Sequence, residues 1–170
     1  EQGLSKETII IALCDGAANC WSIAKSLQGH CGTFIGILDW FHVAMKFQNI
    51  ALPKTQKAKL DNVKWCLWHG NVDKSVEKLD QLIAKIKNPA RLLKLRKLKT
   101  YINNNRDYIV NYEERKKHDK AFTSHMAEST VESLINQRCK GQQHMRWTRL
   151  GVHKLLQIRA HIASNNWVTG

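Results

Sequence analysis

Asp15 directly follows the apolar run Thr8-Ile-Ile-Ile-Ala-Leu-Cys14, and Asp39 directly follows a second one, Thr33-Phe-Ile-Gly-Ile-Leu38. A carboxylate at such a point can accept backbone N–H groups from the next helix, as an N-cap does. It can shape a turn, as Asp-Gly pairs do, or it can hold a cation. Cap and metal ligand both stand for Asp15 taken alone. Asp39 opens the string Asp39-Trp-Phe-His42. A carboxylate and a histidine at that spacing can share a metal, or one can orient the other. A histidine hydrogen-bonded inside a packed turn is the plainer alternative. The third acid is Glu132. Ser129-Thr-Val-Glu132 has the form of a capping box, in which Glu132 caps the Ser129 amide and does no chemistry. The functional alternative is a helix-borne carboxylate facing the strand ends. Mg²⁺ takes oxygen ligands and only a few carboxylates, keeping water and substrate phosphate in its other positions. Two such ions about 3.5–4 Å apart can activate a nucleophile and stabilise a leaving oxygen in phosphodiester chemistry. Acids drawn from two strand ends and a helix suit that mechanism.

Zinc is the competing metal, through the CxxH spacing of Cys66-Leu-Trp-His69, but no second pair at structural-site spacing completes it. The five cysteines are odd in number and form no CxxC. A disulfide framework is therefore not expected, and a reducing cytoplasm fits better. Trp65 and Trp68 sit among lysines, and Lys140, Arg146 and Trp147 lie in a basic stretch after Glu132. An exposed tryptophan beside a cation can stack on an unpaired base. Packing in the core is the alternative for each ring.

The elements that must position these residues follow from periodicity. The run 8–14 is rich in β-branched residues and reads as a central strand buried on both faces. Residues 18–28 read as a helix stopped by Gly29, and 33–38 as a second buried strand. Strand, helix and strand of this length predict a parallel pair with a right-handed crossover. Both aspartates then lie on the carboxyl edge, where open α/β sheets bind ligands. From about Ala44 strand-like runs cease. Val72, Val76, Leu79, Ile83 and Ile86 recur at helical spacing. Asn88-Pro89 ends that helix and starts another, and a third segment runs roughly from Arg106 to Lys117. Residues 44–120 thus read as a helical insertion. A helix after Thr123 carries Glu132, and a last helix starts near Thr148.

The chain has 170 residues, 43% of them hydrophobic, which is enough for a packed core of about one domain. No apolar run approaches the roughly 20 residues of a bilayer span, and no leader reads as a signal peptide. Net charge is +13. Segment 1–45 carries −2, segment 46–120 carries +11 and segment 121–170 carries +4. That asymmetry suits a protein that grips phosphates with one part and holds cations with another. A lysine-rich solvated helix surface is the bland alternative.

Several strings occur together: Leu13-Cys-Asp15-Gly-Ala17 with Trp21, Ile37-Leu-Asp39-Trp-Phe-His42, Ser129-Thr-Val-Glu132, and Gln143-His-Met-Arg-Trp147 with Gly151 and Leu155-Leu-Gln-Ile-Arg159. In this order they resemble bacterial insertion-sequence transposases of the ISKra group, relatives of the Mutator-like DDE transposases. The resemblance implies an α/β fold with a partial ribonuclease H-like core in 1–43 and 121–170, interrupted by the all-α insertion 44–120. It also implies a two-Mg²⁺ site, cleavage at insertion-sequence ends, and strand transfer by the freed 3′-hydroxyl. Asp15 matches the family's second acid and Glu132 its last, so these two would be the metal ligands. Asp39 and His42 match the Asp-x-x-His element and would support the site. Lys64 and Trp68-His-Gly70 resemble a patch in the family's insertion.

In that family the first acid lies on an earlier strand. Residues 1–14 contain Glu1 and Glu7 but no Asp. Between Asp15 and Asp39 there is room for one helix and one strand, not for the intervening hairpin, so Asp15 does not match the first acid. The first acid and a DNA-binding region are expected before Glu1, or lost. The expected partners are transposon-end and target DNA, with a homo-oligomer for the complete protein and a cytoplasmic, nucleoid-associated location. Two rivals come from other classes: a non-catalytic DNA-binding remnant or regulator, and a zinc-dependent structural or RNA-binding protein.

Overall fold

The computed structural model describes residues 3–139 and 146–164. The chain is α/β, with a small parallel sheet and many helices, and it divides into two compact units, Glu1–Thr123 and Ser124–Gly170.

In the first unit, strand β1 (Ile9–Cys14) and strand β2 (Thr33–Leu38) pair in parallel from Ile9 opposite Thr33 to Cys14 opposite Leu38. Helix α1 (Ala18–Ser26) and a 3₁₀ turn at Gln28–His30 connect them. The strand–helix–strand expectation therefore holds, and both aspartates leave the sheet at the same edge. Burial of β1 on both faces does not hold: Ile9 is 65% and Ile11 42% exposed. Among the described residues the sheet has two strands. Only the face of Ala12 and Cys14 meets the core, while Ile9 and Ile11 point the other way by the two-residue period of a strand.

Helix α2 (Trp40–Gln48) begins immediately after Asp39 and crosses the expected boundary at 43. Four further helices follow: α3 (Lys54–Trp68), α4 (Val72–Ile83), α5 (Pro89–Asn104) and α6 (Tyr112–Lys117). Their starts are legible locally. Asn88 Oδ1 accepts from Arg91 N at 3.0 Å with Pro89 in the first turn. Asn111 Oδ1 accepts from Glu114 N at 3.1 Å. The helical segment is not a separate body. Cys14, Trp21 and Leu38 belong to one buried cluster with Val43 and Phe47 of α2, Leu60 and Val63 of α3, Leu79 and Leu82 of α4, and Leu95, Leu98 and Ile102 of α5.

In the second unit, helix α7 (His125–Val131) runs into a π-helical segment, Glu132–Asn136, and then α8 (Gln137–Cys139). Helix α9 (Arg149–Ala163) starts at Thr148, whose hydroxyl accepts from Gly151 N at 3.1 Å. Arg159 binds the carbonyls of Ser133 and Leu134 at 2.7 and 2.8 Å, fastening α9 to the π segment. No helix among the described residues is long and apolar enough to cross a membrane.

Candidate functional site at the carboxyl edge of the sheet

Because Cys14 lies opposite Leu38, Asp15 and Asp39 leave neighbouring strands side by side, and Asp39 N donates to Cys14 O at 2.8 Å. Strand spacing puts the two backbones about 5 Å apart there. The two carboxylates nevertheless have different surroundings.

Asp39 is 1% exposed. Its Oδ1 accepts from Phe41 N at 3.2 Å, which makes it the N-cap of α2, and its Oδ2 lies 2.7 Å from His42 Nδ1. Cap and histidine partner are alternatives on sequence alone, and Asp39 is both. A buried carboxylate committed in this way orients His42 and anchors α2 rather than offering oxygens to a cation.

Asp15 is half-buried. Its Oδ1 accepts from Ala17 N at 2.8 Å. That bond holds its carboxyl below the ordinary value against the opposing effect of burial, helped by the Cys20 thiol and by the nearby His42 and Lys46. Asp15 is thus a turn former that stays charged and keeps acceptor capacity toward solvent. Its thiol neighbours respond in the opposite sense. Cys20 is pushed up mainly by its bond to Asp15, and Cys14 is pushed up by burial and then by Cys20 and Asp15.

The next residue explains why the turn is tight. Gly16 has φ +92°, and a Cβ there would stand 2.7 Å from Tyr101 Cε2 and 2.8 Å from Asn105 Nδ2. Only glycine tolerates both the left-handed backbone and this approach of α5. Tyr101 Oη donates to the Asp15 carbonyl at 2.9 Å. Burial, then the charges of Asp15 and Asp39, push its phenol well above the ordinary value, so it remains a neutral donor. The Lys46 ammonium lies 4.5 Å from the centre of the Tyr101 ring. Sequence reasoning missed Lys46, Tyr101, Asn105 and Cys20 at this edge. Tyr101 lies beside the apolar stripe of α5, partly buried against the core, where a tyrosine is more often core than site.

Glu132 belongs to the second unit. The capping-box reading fails there, because α7 starts at His125 and Ser129 is inside it. Glu132 is exposed and its Oε2 accepts from Asn136 Nδ2 at 2.8 Å. It opens the π segment, a distortion found disproportionately at functional positions.

The expected DNA-contacting residues separate. Trp65 is 61% exposed, with His69 against its ring at 4.6 Å. Trp68 packs instead in an aromatic cluster, 4.8 Å from Trp40 and 5.7 Å from Phe122. The Tyr112 ring completes the cluster, and its hydroxyl donates to Leu38 O at 2.8 Å. Trp68 is therefore a core residue in large part. Arg146 is exposed, Trp147 is partly buried, and Lys140 lies outside the described residues.

The zinc alternative loses its pair. Cys66 is buried inside α3, and His69 Nδ1 is 3.0 Å from Glu113 Oε2. Among the described residues no three His, Cys, Asp or Glu side chains form a group that could hold a metal ion. Asp15 fits a single-carboxylate ligand of a largely hydrated Mg²⁺, whereas Asp39, with its oxygens engaged, does not.

Comparison with family models, with curated proteins and with solved structures returned no match.

Proposed function

We propose that this chain is part of a DDE-type DNA transposase of the ISKra group, contributing part of a ribonuclease H-like core and its helical insertion. One observation carries the reading: two aspartates leave adjacent, in-register parallel strands at one edge, one fully buried and committed to structure and one half-buried at the turn that follows its strand. That division of labour matches the roles the resemblance gives them. Asp15 would hold Mg²⁺, which supplies charge stabilisation for attack on a phosphodiester, and Glu132 is the further acid that the resemblance assigns to this chemistry. Asp39 fixes the start of α2 and the orientation of His42. The +11 charge of residues 46–120 supplies attraction for the DNA backbone.

The test is DNA affinity of the purified chain, by fluorescence anisotropy, with Ca²⁺ or Mg²⁺ and with EDTA. The expected result is affinity that rises with the metal in the wild type and does not in D15N or E132Q. Equal affinity with and without metal, unchanged in both variants, would overturn the transposase site and leave the regulator reading. Cleavage by this chain alone is expected to be negligible, since residues 1–14 supply no aspartate to complete a two-metal site.

A further inference from the structure

A groove of about 360 Å³ runs between α2 and α5, lined by Lys46, Asn49, Lys94, Lys97 and Tyr101 over a floor containing Ile50 and Leu98. Its walls are cationic for a simple reason. Helix α5 carries five bases (Arg91, Lys94, Arg96, Lys97 and Lys99) and no acid. Lys99 is neutralised by Asp80 at 2.6 Å, on another face. Among the described residues, no carboxylate forms an ion pair with Lys46, Lys94 or Lys97.

The groove is also directional. Lys94, Lys97 and Tyr101 follow one another at i, i+3 and i+7, and so share one stripe of α5. The stripe covers about 10 Å along the axis, roughly the axial rise of three nucleotides in one strand of a duplex. At one end, Lys94 Nζ donates to Asn49 O at 3.2 Å, leaving its other two protons for a ligand. At the other end, Lys46 lies over the Tyr101 ring, and the Tyr101 hydroxyl is bonded to the main chain of Asp15.

We propose that this groove binds the sugar–phosphate backbone of a DNA strand and leads it to Asp15. Lys94 and Lys97 bind successive phosphates, and Lys46 binds the phosphate nearest the carboxylate. The inference rests on the transposase reading and deepens it by locating the track of the substrate. A cationic groove ending at a carboxylate provides what a metal-assisted phosphodiester reaction needs: attraction for the polyanion along its length and a cation site only at the scissile point.

The experiment uses the full chain and a fluorescein-labelled 20-base-pair duplex in EDTA, with log Kobs followed against log [NaCl]. Two variants remove equal charge: K94Q/K97Q from this groove, and K78Q/K85Q from a second lysine-lined hollow between α3 and α4. The groove variant is expected to lower the magnitude of the salt slope by about 1.8, at roughly 0.9 for each phosphate no longer neutralised. The control should change it by less than about 0.5 on the same scale. Because Lys94 also ties α5 to Asn49, K97E alone serves as a second variant and should weaken binding at least about tenfold at 0.1 M salt, with an unchanged melting curve. Equal losses in the two double variants would overturn the groove while leaving DNA binding intact. No binding even at low salt would overturn both the groove and the DNA reading.

Discussion

The Trp21 indole Nε1 donates to Asn105 Oδ1 at 2.7 Å, a buried bond between residues 84 positions apart. Trp21 is on the helix that links the two strands, and Asn105 closes the long basic helix. Asn105 Nδ2 in turn donates to Tyr101 O at 2.9 Å. One amide thus ties the strand–helix–strand unit to α5 and fixes Tyr101 against Asp15. Truncation to N105A leaves the indole N–H buried and unpaired, at a cost of about 1–3 kcal/mol. Urea denaturation should show that loss with an unchanged slope. N105D keeps the acceptor for the indole but sets a buried carboxylate oxygen against the Tyr101 carbonyl, and should lose at least as much as N105A.

Gly16 makes a sharper claim about the same region. G16A forces a Cβ into Tyr101 and Asn105 at a residue with φ +92°. It should destabilise by more than about 1 kcal/mol, because the strain of a non-glycine residue there adds to the clash. It should also reduce the metal-dependent gain in DNA affinity, since Asp15 is the preceding residue. A G16A protein with wild-type stability would show that α5 is not held against the turn.

The strand–helix–strand unit, the edge carrying both aspartates and the starts at Asn88 and Thr148 are all legible in the sequence, because each depends on a local pattern. The segment expected from Arg106 instead begins with a 3₁₀ turn, and its helix starts at Tyr112 behind the Asn111 cap. What is not legible depends on partners far along the chain. Tyr101 and Asn105 reach Asp15 and Trp21 across more than eighty positions. The exposure of Ile9 and Ile11 depends on what covers β1, which no run of apolar residues reports. Glu132 reads as a cap because Ser-x-x-Glu is a local signature. The helix starts just after Thr123, as its sequence predicts, which puts Ser129 in its interior, and the π segment opens at Glu132.

Asp15 predicts a pH dependence with a definite sign. Its carboxyl titrates below the ordinary value, chiefly through the Ala17 N–H bond. The folded state therefore favours the charged form. The associated stability is present in full above the ordinary carboxylate range and is lost as pH falls through the lowered value. Wild-type stability should drop more steeply than that of D15N below about pH 4. The two profiles should run parallel from about pH 5 to 7. Identical acid limbs would show that Asp15 gains nothing from its surroundings on folding.

Asp39 should behave as a structural carboxylate. D39A removes the N-cap of α2, at about 0.5–2 kcal/mol, and also releases His42. D39N keeps an acceptor for Phe41 N and should lose less. Denaturation curves of the two variants separate these roles. Neither substitution should abolish metal-dependent DNA binding as completely as D15N, because only Asp15 keeps acceptor capacity toward solvent.

Trp65 and Trp68, three positions apart on α3, should diverge on substitution. Trp68 packs on Trp40, Tyr112 and Phe122, so W68A opens a cavity beside the exit of β2. A buried Trp→Ala change costs about 3–5 kcal/mol, and a partly buried ring should approach the lower end. Trp65 is 61% exposed, and W65A should leave stability within about 0.5 kcal/mol of wild type. If the exposed ring is a stacking platform, W65A should weaken single-stranded DNA binding by about 1–3 kcal/mol. Duplex affinity should change much less, because paired bases offer no free face. Equal single-strand affinity in W65A and wild type would remove Trp65 from the DNA-contacting residues and leave the lysines to account for binding.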